Sequence, residues 1–229
     1  MNLIKRKALV IFEKQFGKTG HVLDVRAWNP STFYEIDLHL PGVDMSKWQS
    51  VQHMKCKVAD GVYRDYTPAH WDEDTQTCTL YVDAAHDGSG SKWAASLKPK
   101  DEILYLGISS TFTKPVSSTS LTCLGDSSAI GHFLALEQLA GKGNVSGAVV
   151  IKEEEHRKAF MSYFDSTLEA IPQKVSSNIN NLQEWLQEQN LDGRAVYLAG
   201  NVPMVVELRK IIKALPGFNG RVKVQGFWW

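Results

Sequence analysis

Arg64-Asp65-Tyr66-Thr67-Pro68 and, beyond one intervening strand, His86-Asp87-Gly88-Ser89-Gly90-Ser91-Lys92-Trp93-Ala94 are the two segments from which the architecture of this chain can be worked out. Between them Thr77-Cys78-Thr79-Leu80-Tyr81-Val82-Asp83-Ala84 alternates with period two. Cys78, Leu80, Val82 and Ala84 therefore share one face, and Thr79, Tyr81 and Asp83 share the other, so the strand has one buried side and one free to line a site. Asp87-Gly88 ends the run as a turn, and Gly61 provides another turn just before Val62-Tyr63-Arg64.

Working outward, Val22 to Leu106 consists of short alternating runs between turn residues, as in Phe33 to Leu40 ahead of Pro41-Gly42. This predicts an antiparallel β-barrel. Thr111 to Ser120 is rich in Ser, Thr, Lys and Pro and reads as a linker. Past it the period changes. Leu121-Thr122-Cys123-Leu124 reads as a buried strand, and Ile130, Phe133, Leu134 and Leu139 recur at helical spacing behind a Ser127/Ser128 cap. Val145 to Ile151 is another strand, Ile179 to Leu186 a helix, Ala195 to Leu198 a strand, and Met204, Leu208, Ile211, Ile212 and Leu215 mark a last helix. Alternating strands and helices imply a Rossmann-like parallel sheet with a crevice at the carboxyl ends of its strands. The expected organisation is two domains, a barrel over residues 1–113 with a short N-terminal helix and an α/β domain over 114–229.

The 25 Lys and Arg equal the 25 Asp and Glu among 229 residues, so no global field draws the chain to nucleic acid or to an anionic membrane. Three widely spaced cysteines, Cys56, Cys78 and Cys123, argue against a disulfide framework and for a reducing compartment. Ile4 to Phe16 alternates charged and apolar residues at roughly helical spacing, without the apolar core of a signal peptide. No apolar run approaches a membrane span, and a cytoplasmic location is expected.

The chemistry of the two opening segments points to a flavin. Arg64 offers a fixed cation for a phosphate, Tyr66 a flat ring to lie against an isoalloxazine, and Thr67 a hydroxyl for its polar edge. Gly88 and Gly90 would let the main chain approach a diphosphate, and Ser91 would open a helix whose first N–H groups face that anion. Gly125-Asp126-Ser127-Ser128-Ala129, between a strand and a helix, also has the look of a nucleophile elbow. However, no Asp lies between Ser127 and His156, the last histidine, which speaks against a triad. His53 and Cys56 are an odd number of residues apart, so a strand would put them on opposite faces, and no metal site is expected. Lys47, Lys55, Lys57, Lys92 and Lys98 flank the flavin segments in sequence and would attract an anionic chelate if they converged.

Arg-x-Tyr-Thr-Pro, the strand ending in Asp83-x-x-His86, Gly-x-x-Ser and Trp93-Ala94 resemble the siderophore-interacting proteins, a branch of the ferredoxin–NADP reductase superfamily. The segment Val22 to Leu40 is similar to that family's first barrel strands. Gly125 to Ala129 resembles its Gly-Asp-Glu-Thr-Ala turn, Leu198-Ala199-Gly200 with Leu208-Arg209 its Ala-Gly-Glu…Arg segment, and Gly226-Phe227-Trp228 its Gly-Tyr-Trp. The chain departs from the pattern at Ala69, where a second basic residue commonly follows the Pro. It departs again at Ser127-Ser128 in place of Glu-Thr and at Asn201 in place of Glu.

The resemblance implies an FAD-dependent oxidoreductase that passes electrons from NAD(P)H through flavin to the Fe(III) of a siderophore or other iron chelate. It assigns Arg64, Asp65, Tyr66, Thr67, Asp83, His86, Gly88, Ser89, Gly90, Ser91, Trp93 and Trp228 to the flavin, with a terminal aromatic among Phe227, Trp228 and Trp229 shielding its ring. Gly125, Asp126, Ser127, Ser128, Gly200 and Asn201 are assigned to the nicotinamide nucleotide, and no protein acid or base is implied for the metal step. Two alternatives remain: a general flavin-dependent reductase fed by ferredoxin, and a non-catalytic module that binds flavin or lacks it.

Overall fold

Period-two alternation builds the first half of the molecule. A computed structural model describes residues 11–116, 120–164, 166–173 and 178–228, which divide into two compact units. One unit comprises the chain up to Ala27 with Ser31–Phe112, and the other comprises Trp28–Pro30 with Thr113 onward. Residues 1–10 of the N-terminal pattern, 117–119 of the linker, and Trp229 lie outside the described residues.

The first unit holds strands β1 (Lys18–Trp28), β2 (Phe33–His39), β3 (Gln52–Ala59), β4 (Val62–Tyr66), β5 (Pro68–Asp72), β6 (Thr77–Asp83) and β7 (Glu102–Ser110), with one helix, α1 (Ser89–Ser96). Their order is β4-β3-β7-β1-β2-β6-β5. β1 with β7, β2 with β6, β3 with β4 and with β7, and β5 with β6 all pair antiparallel. The two ends of this order, β4 and β5, are joined by Thr67 alone. A single residue spans about 7 Å between its neighbours' Cα atoms, so the sheet must curl until its first and last strands meet. Arg64 to Pro68 thus crosses the barrel seam. Ile36, Leu38, Leu40, Met54, Leu80 and Tyr105 fill the interior, and Ala94 of α1 packs against the same core. Each such fully buried large side chain contributes about 1.5–3 kcal/mol.

In the second unit the strands are β8 (Leu121–Asp126), β9 (Val145–Ile151), β10 (Leu168–Pro172), β11 (Ala195–Asn201) and β12 (Arg221–Trp228). The helices are α2 (Ile130–Ala140), α3 (Glu154–Tyr163), α4 (Asn178–Gln187) and α5 (Val202–Ala214). The sheet order is β10-β9-β8-β11-β12, all parallel. The central strands β8, β9 and β11 are almost wholly buried, as strands covered on both faces must be. Leu182, Leu186, Leu208 and Ile212 of α4 and α5 pack with Leu124, Ala148 and Leu198 on one face of the sheet. On the other face a Cβ at Gly125 would meet Phe133 at 2.9 Å, which places α2 there. In chain order the strands run 3-2-1-4-5, which puts the topological switch point between the carboxyl ends of β8 and β11.

Two expectations need correction here. The second face of β6 does not line a site: Thr79 and Tyr81 are buried, and Thr79 donates to Asp37 at 2.8 Å. Asp37 is one of three carboxylates around Arg26, with Nη1 2.6 Å from Asp37, Nη2 3.0 Å from Glu35 and Nη1 3.0 Å from Asp24. That network fixes the outer face of the barrel. In addition, a 3-10 turn, Ser127–Ala129, leads into α2, and its cap is Asp126, whose side chain accepts from Ser128 N–H, rather than Ser127 or Ser128.

Candidate functional site

Strand β4 pairs with β3 so that Cys56 lies opposite Arg64 and Lys55 opposite Asp65. Cys56 belongs to the barrel core and Arg64 is exposed. The guanidinium donates to the carbonyl of Tyr63 at 2.8 Å and, among the described residues, pairs with no carboxylate. Its neighbour Asp65 is taken instead by Lys55, at 2.8 Å. The seam therefore presents an uncompensated cation.

Helix α1 starts close to that cation. Gly88 is its N-cap, in extended conformation, and having no side chain it supplies no cap bond to the first N–H groups, those of Ser89, Gly90 and Ser91. The helix begins at Ser89, two residues before the expected Ser91. A Cβ on Gly90 would lie 2.6 Å from Tyr66 Oη and 3.6 Å from Arg64 Cγ. The arginine strand and the glycine turn, separated by more than twenty residues in sequence, are thus in van der Waals contact. The role of Gly90 differs from the expected one, because the space above its Cα is filled by the Tyr66 hydroxyl. Of the two glycines in this turn, it is at Gly88 that a Cβ would find nothing within 4 Å.

Tyr66 is held from two directions. Its ring stacks on Trp93 of α1 with centroids 5.2 Å apart and planes 18° apart, and its hydroxyl abuts Gly90. Burial pushes that hydroxyl well above the usual tyrosine range, so it stays protonated. Asp83 Oδ1 accepts from Ala85 N–H at 3.0 Å and shapes the turn into α1, while His86 is exposed in that turn. Thr67 is half-buried at the seam. A guanidinium without a carboxylate partner among the described residues, beside a glycine-capped helix start, suits the diphosphate of FAD.

Four of the five lysines are paired with acids. Lys47 pairs with Asp44, Lys55 with Asp65, Lys57 with Glu13 and Lys92 with Asp87, each at 2.8 Å. His53 and Cys56 lie on opposite faces of β3, and no metal-binding group of His, Cys, Asp or Glu occurs among the described residues. All three cysteines are free and buried.

In the second unit Gly125, Asp126, Ser127, Ser128, Gly200 and Asn201 meet at the switch point, around the buried Asp126 carboxylate. Asp126 is 4 % exposed. One of its oxygens accepts from Ser128 N–H at 3.1 Å and from the Ser128 hydroxyl at 2.5 Å, and the other from Asn201 N–H at 2.9 Å. Gly200, at φ +121°, admits this carboxylate, since a Cβ there would come within 2.6 Å of it. The Asn201 side chain caps α5 through Met204 N–H. Trp228 Nε1 donates to Ser128 Oγ at 3.1 Å, and Phe227 meets the buried His132 ring edge-on, with centroids 5.5 Å apart. Asp126 thus takes the Ser128 and Asn201 N–H groups at this turn and sets a negative charge beside them. The sequence signal for this was the Asp itself, one residue before Ser127-Ser128.

The sequence matches no family model and no curated protein. Solved structures do match. The siderophore-interacting protein of Acinetobacter baumannii aligns over 93 % of this chain and 90 % of its own, at 12 % identity and TM-score 0.73. A siderophore utilization protein from T. fusca aligns over 93 % and 92 %, at 17 % identity and TM-score 0.68. The ferredoxin–NADP+ reductase of Plasmodium falciparum aligns over 91 % and 96 %, at 13 % identity and TM-score 0.63. The joined barrel and doubly wound sheet give this chain the ferredoxin–NADP reductase-like fold that siderophore-interacting proteins share.

Proposed function

We propose that the chain is an FAD-dependent oxidoreductase that delivers electrons to ferric iron held by a siderophore or similar chelate. In this reading residues 1–113 bind the flavin and 114–229 are a nucleotide-domain homologue. The observation that carries it is the contact between the Arg64–Tyr66 strand and the glycine-capped start of α1. FAD would supply the redox chemistry, accepting two electrons from a donor and releasing them singly to Fe(III), whose weaker hold as Fe(II) frees the metal. The protein's own work is binding and orientation. Arg64 neutralises the diphosphate, the backbone from Gly88 to Ser91 donates to it, and Tyr66 and Thr67 set the ring. No side chain has to move a proton for the metal step.

Because Asp126 accepts two backbone N–H groups at the switch point of the second unit, a reduced protein carrier such as ferredoxin is the second reading for the electron donor. Stopped-flow reduction with NADH, NADPH and reduced ferredoxin separates the two. The primary test follows Fe(II) formation from a ferric chelate with a trapping dye, for the native chain and Arg64→Ala, alongside flavin content. The variant should retain little flavin and little activity. A colourless native protein that takes up no added FAD removes the proposal.

A further inference from the structure

The zero net charge of the chain conceals a sharp segregation. Residues 1–18 carry five basic side chains, Lys5, Arg6, Lys7, Lys14 and Lys18, against the single acid Glu13, which leaves the remainder with a net charge of −4 to their +4. Residues 11–16 are helical and precede β1. Their apolar side chains do not enter the barrel core. Ile11 is 66 % exposed, Phe12 44 % and Phe16 50 %, and the two phenylalanine rings, one turn apart, lie 4.9 Å from each other. Polar bonds tie this helix to the barrel: Glu13 accepts from Lys57 Nζ at 2.8 Å and from the Tyr63 hydroxyl. Burial opposes charge on Glu13, but the bonds from Lys57 and Tyr63 outweigh it and hold the carboxyl below its ordinary range.

A helix fixed by its one acid, with three large apolar side chains turned outward, has no internal use for them. Contiguous exposed apolar residues mark a surface that is covered when the protein works. Here the flanking charge is positive, and the one acid is already neutralised by Lys57. Apolar side chains bordered by lysine and arginine are the composition of a helix that lies in the headgroup layer of an anionic bilayer.

We propose that the helix at residues 11–16 docks the protein peripherally on an anionic lipid surface, with Ile11, Phe12 and Phe16 entering the headgroup layer and Lys14 and Lys18 meeting lipid phosphates. The proposal is independent of the flavin assignment. It is tested by co-sedimentation of the full chain with phosphatidylcholine vesicles, with and without phosphatidylglycerol. Binding is expected only with the anionic lipid and should be lost at high salt. The double variant Phe12→Ser/Phe16→Ser and the charge reversal Lys14→Glu should each weaken it, the former by about tenfold or more. Both phenylalanines are outside the core, so the thermal midpoint should not move. Equal binding by native and double-variant protein, or none to anionic vesicles, overturns the proposal. So does a native dimer in sedimentation equilibrium that the double variant dissolves, because the face would then cover a second copy of the chain.

Discussion

Two strand-to-helix turns in this molecule look alike in sequence and differ in chemistry. Gly88-Ser89-Gly90-Ser91 opens α1 and Gly125-Asp126-Ser127-Ser128 leads into α2, both glycine and serine rich, both following a strand. At the first the Arg64 side chain lies beside Gly90, Asp87 is paired with Lys92, and the N-cap Gly88 has no side chain to accept from the helix. At the second a carboxylate with 4 % exposure accepts two backbone N–H groups and a hydroxyl. A small-residue turn into a helix is therefore not in itself an anion site. What differs is where the neighbouring acid is spent: Asp126 accepts from backbone N–H groups at its turn, whereas Asp87 is paired with Lys92.

Filling Gly200 tests this contrast most severely. Gly200→Val would place a branched side chain at φ +121° and within 2.6 Å of Asp126, and strain plus overpacking should cost roughly 3–5 kcal/mol. Hydrogen exchange should show the second unit opening while the barrel stays protected. Full protection in both would mean that the carboxylate is not pinned at the switch point.

Acid should also separate the two units. Burial lowers the pKa of His132 from 6.5 to about 4. Between these values the unfolded chain binds the proton and the folded chain does not, so stability is complete above pH 6.5 and falls towards pH 4, by roughly 3 kcal/mol. His132→Leu should flatten the pH dependence of denaturant midpoints for the second unit in that window. An unchanged slope would mean that the ring is not buried neutral.

At the open turn Arg64→Ala removes the charged donor, and loss of about 1.5–3 kcal/mol should weaken FAD binding roughly 10- to 100-fold in a fluorescence titration. An unaltered affinity would sink the contrast from the barrel side. The smallest effect belongs to Trp228→Phe, which removes the bond to Ser128 Oγ and should lower stability by about 0.5–1.5 kcal/mol in thermal unfolding. A loss several times larger would make the indole a structural strut of the switch point.

Much of the fold was legible from periodicity alone. The run Thr77 to Ala84 and the helical spacing of Met204, Leu208 and Ile212 both form the predicted elements, because each must bury one face. Three elements were not foreseen: α3, β10 and β12. β10 and β12 are edge strands, paired on one side only, so their sequences need no continuous apolar run. The Arg26 cluster escaped notice because Asp24, Arg26, Glu35 and Asp37 read as ordinary solvated charges until β1 and β2 bring them together.

By itself the sequence determined the alternation of periods, hence a β unit followed by a parallel α/β unit, and it placed Arg64, Tyr66 and the glycine turn as chemically suited partners. Only the tertiary structure decided which charges remain unspent. Hydrogen bonding and ion pairing are settled between residues far apart along the chain, so Arg64 is left open and Asp126 is fully engaged for reasons that no local pattern encodes.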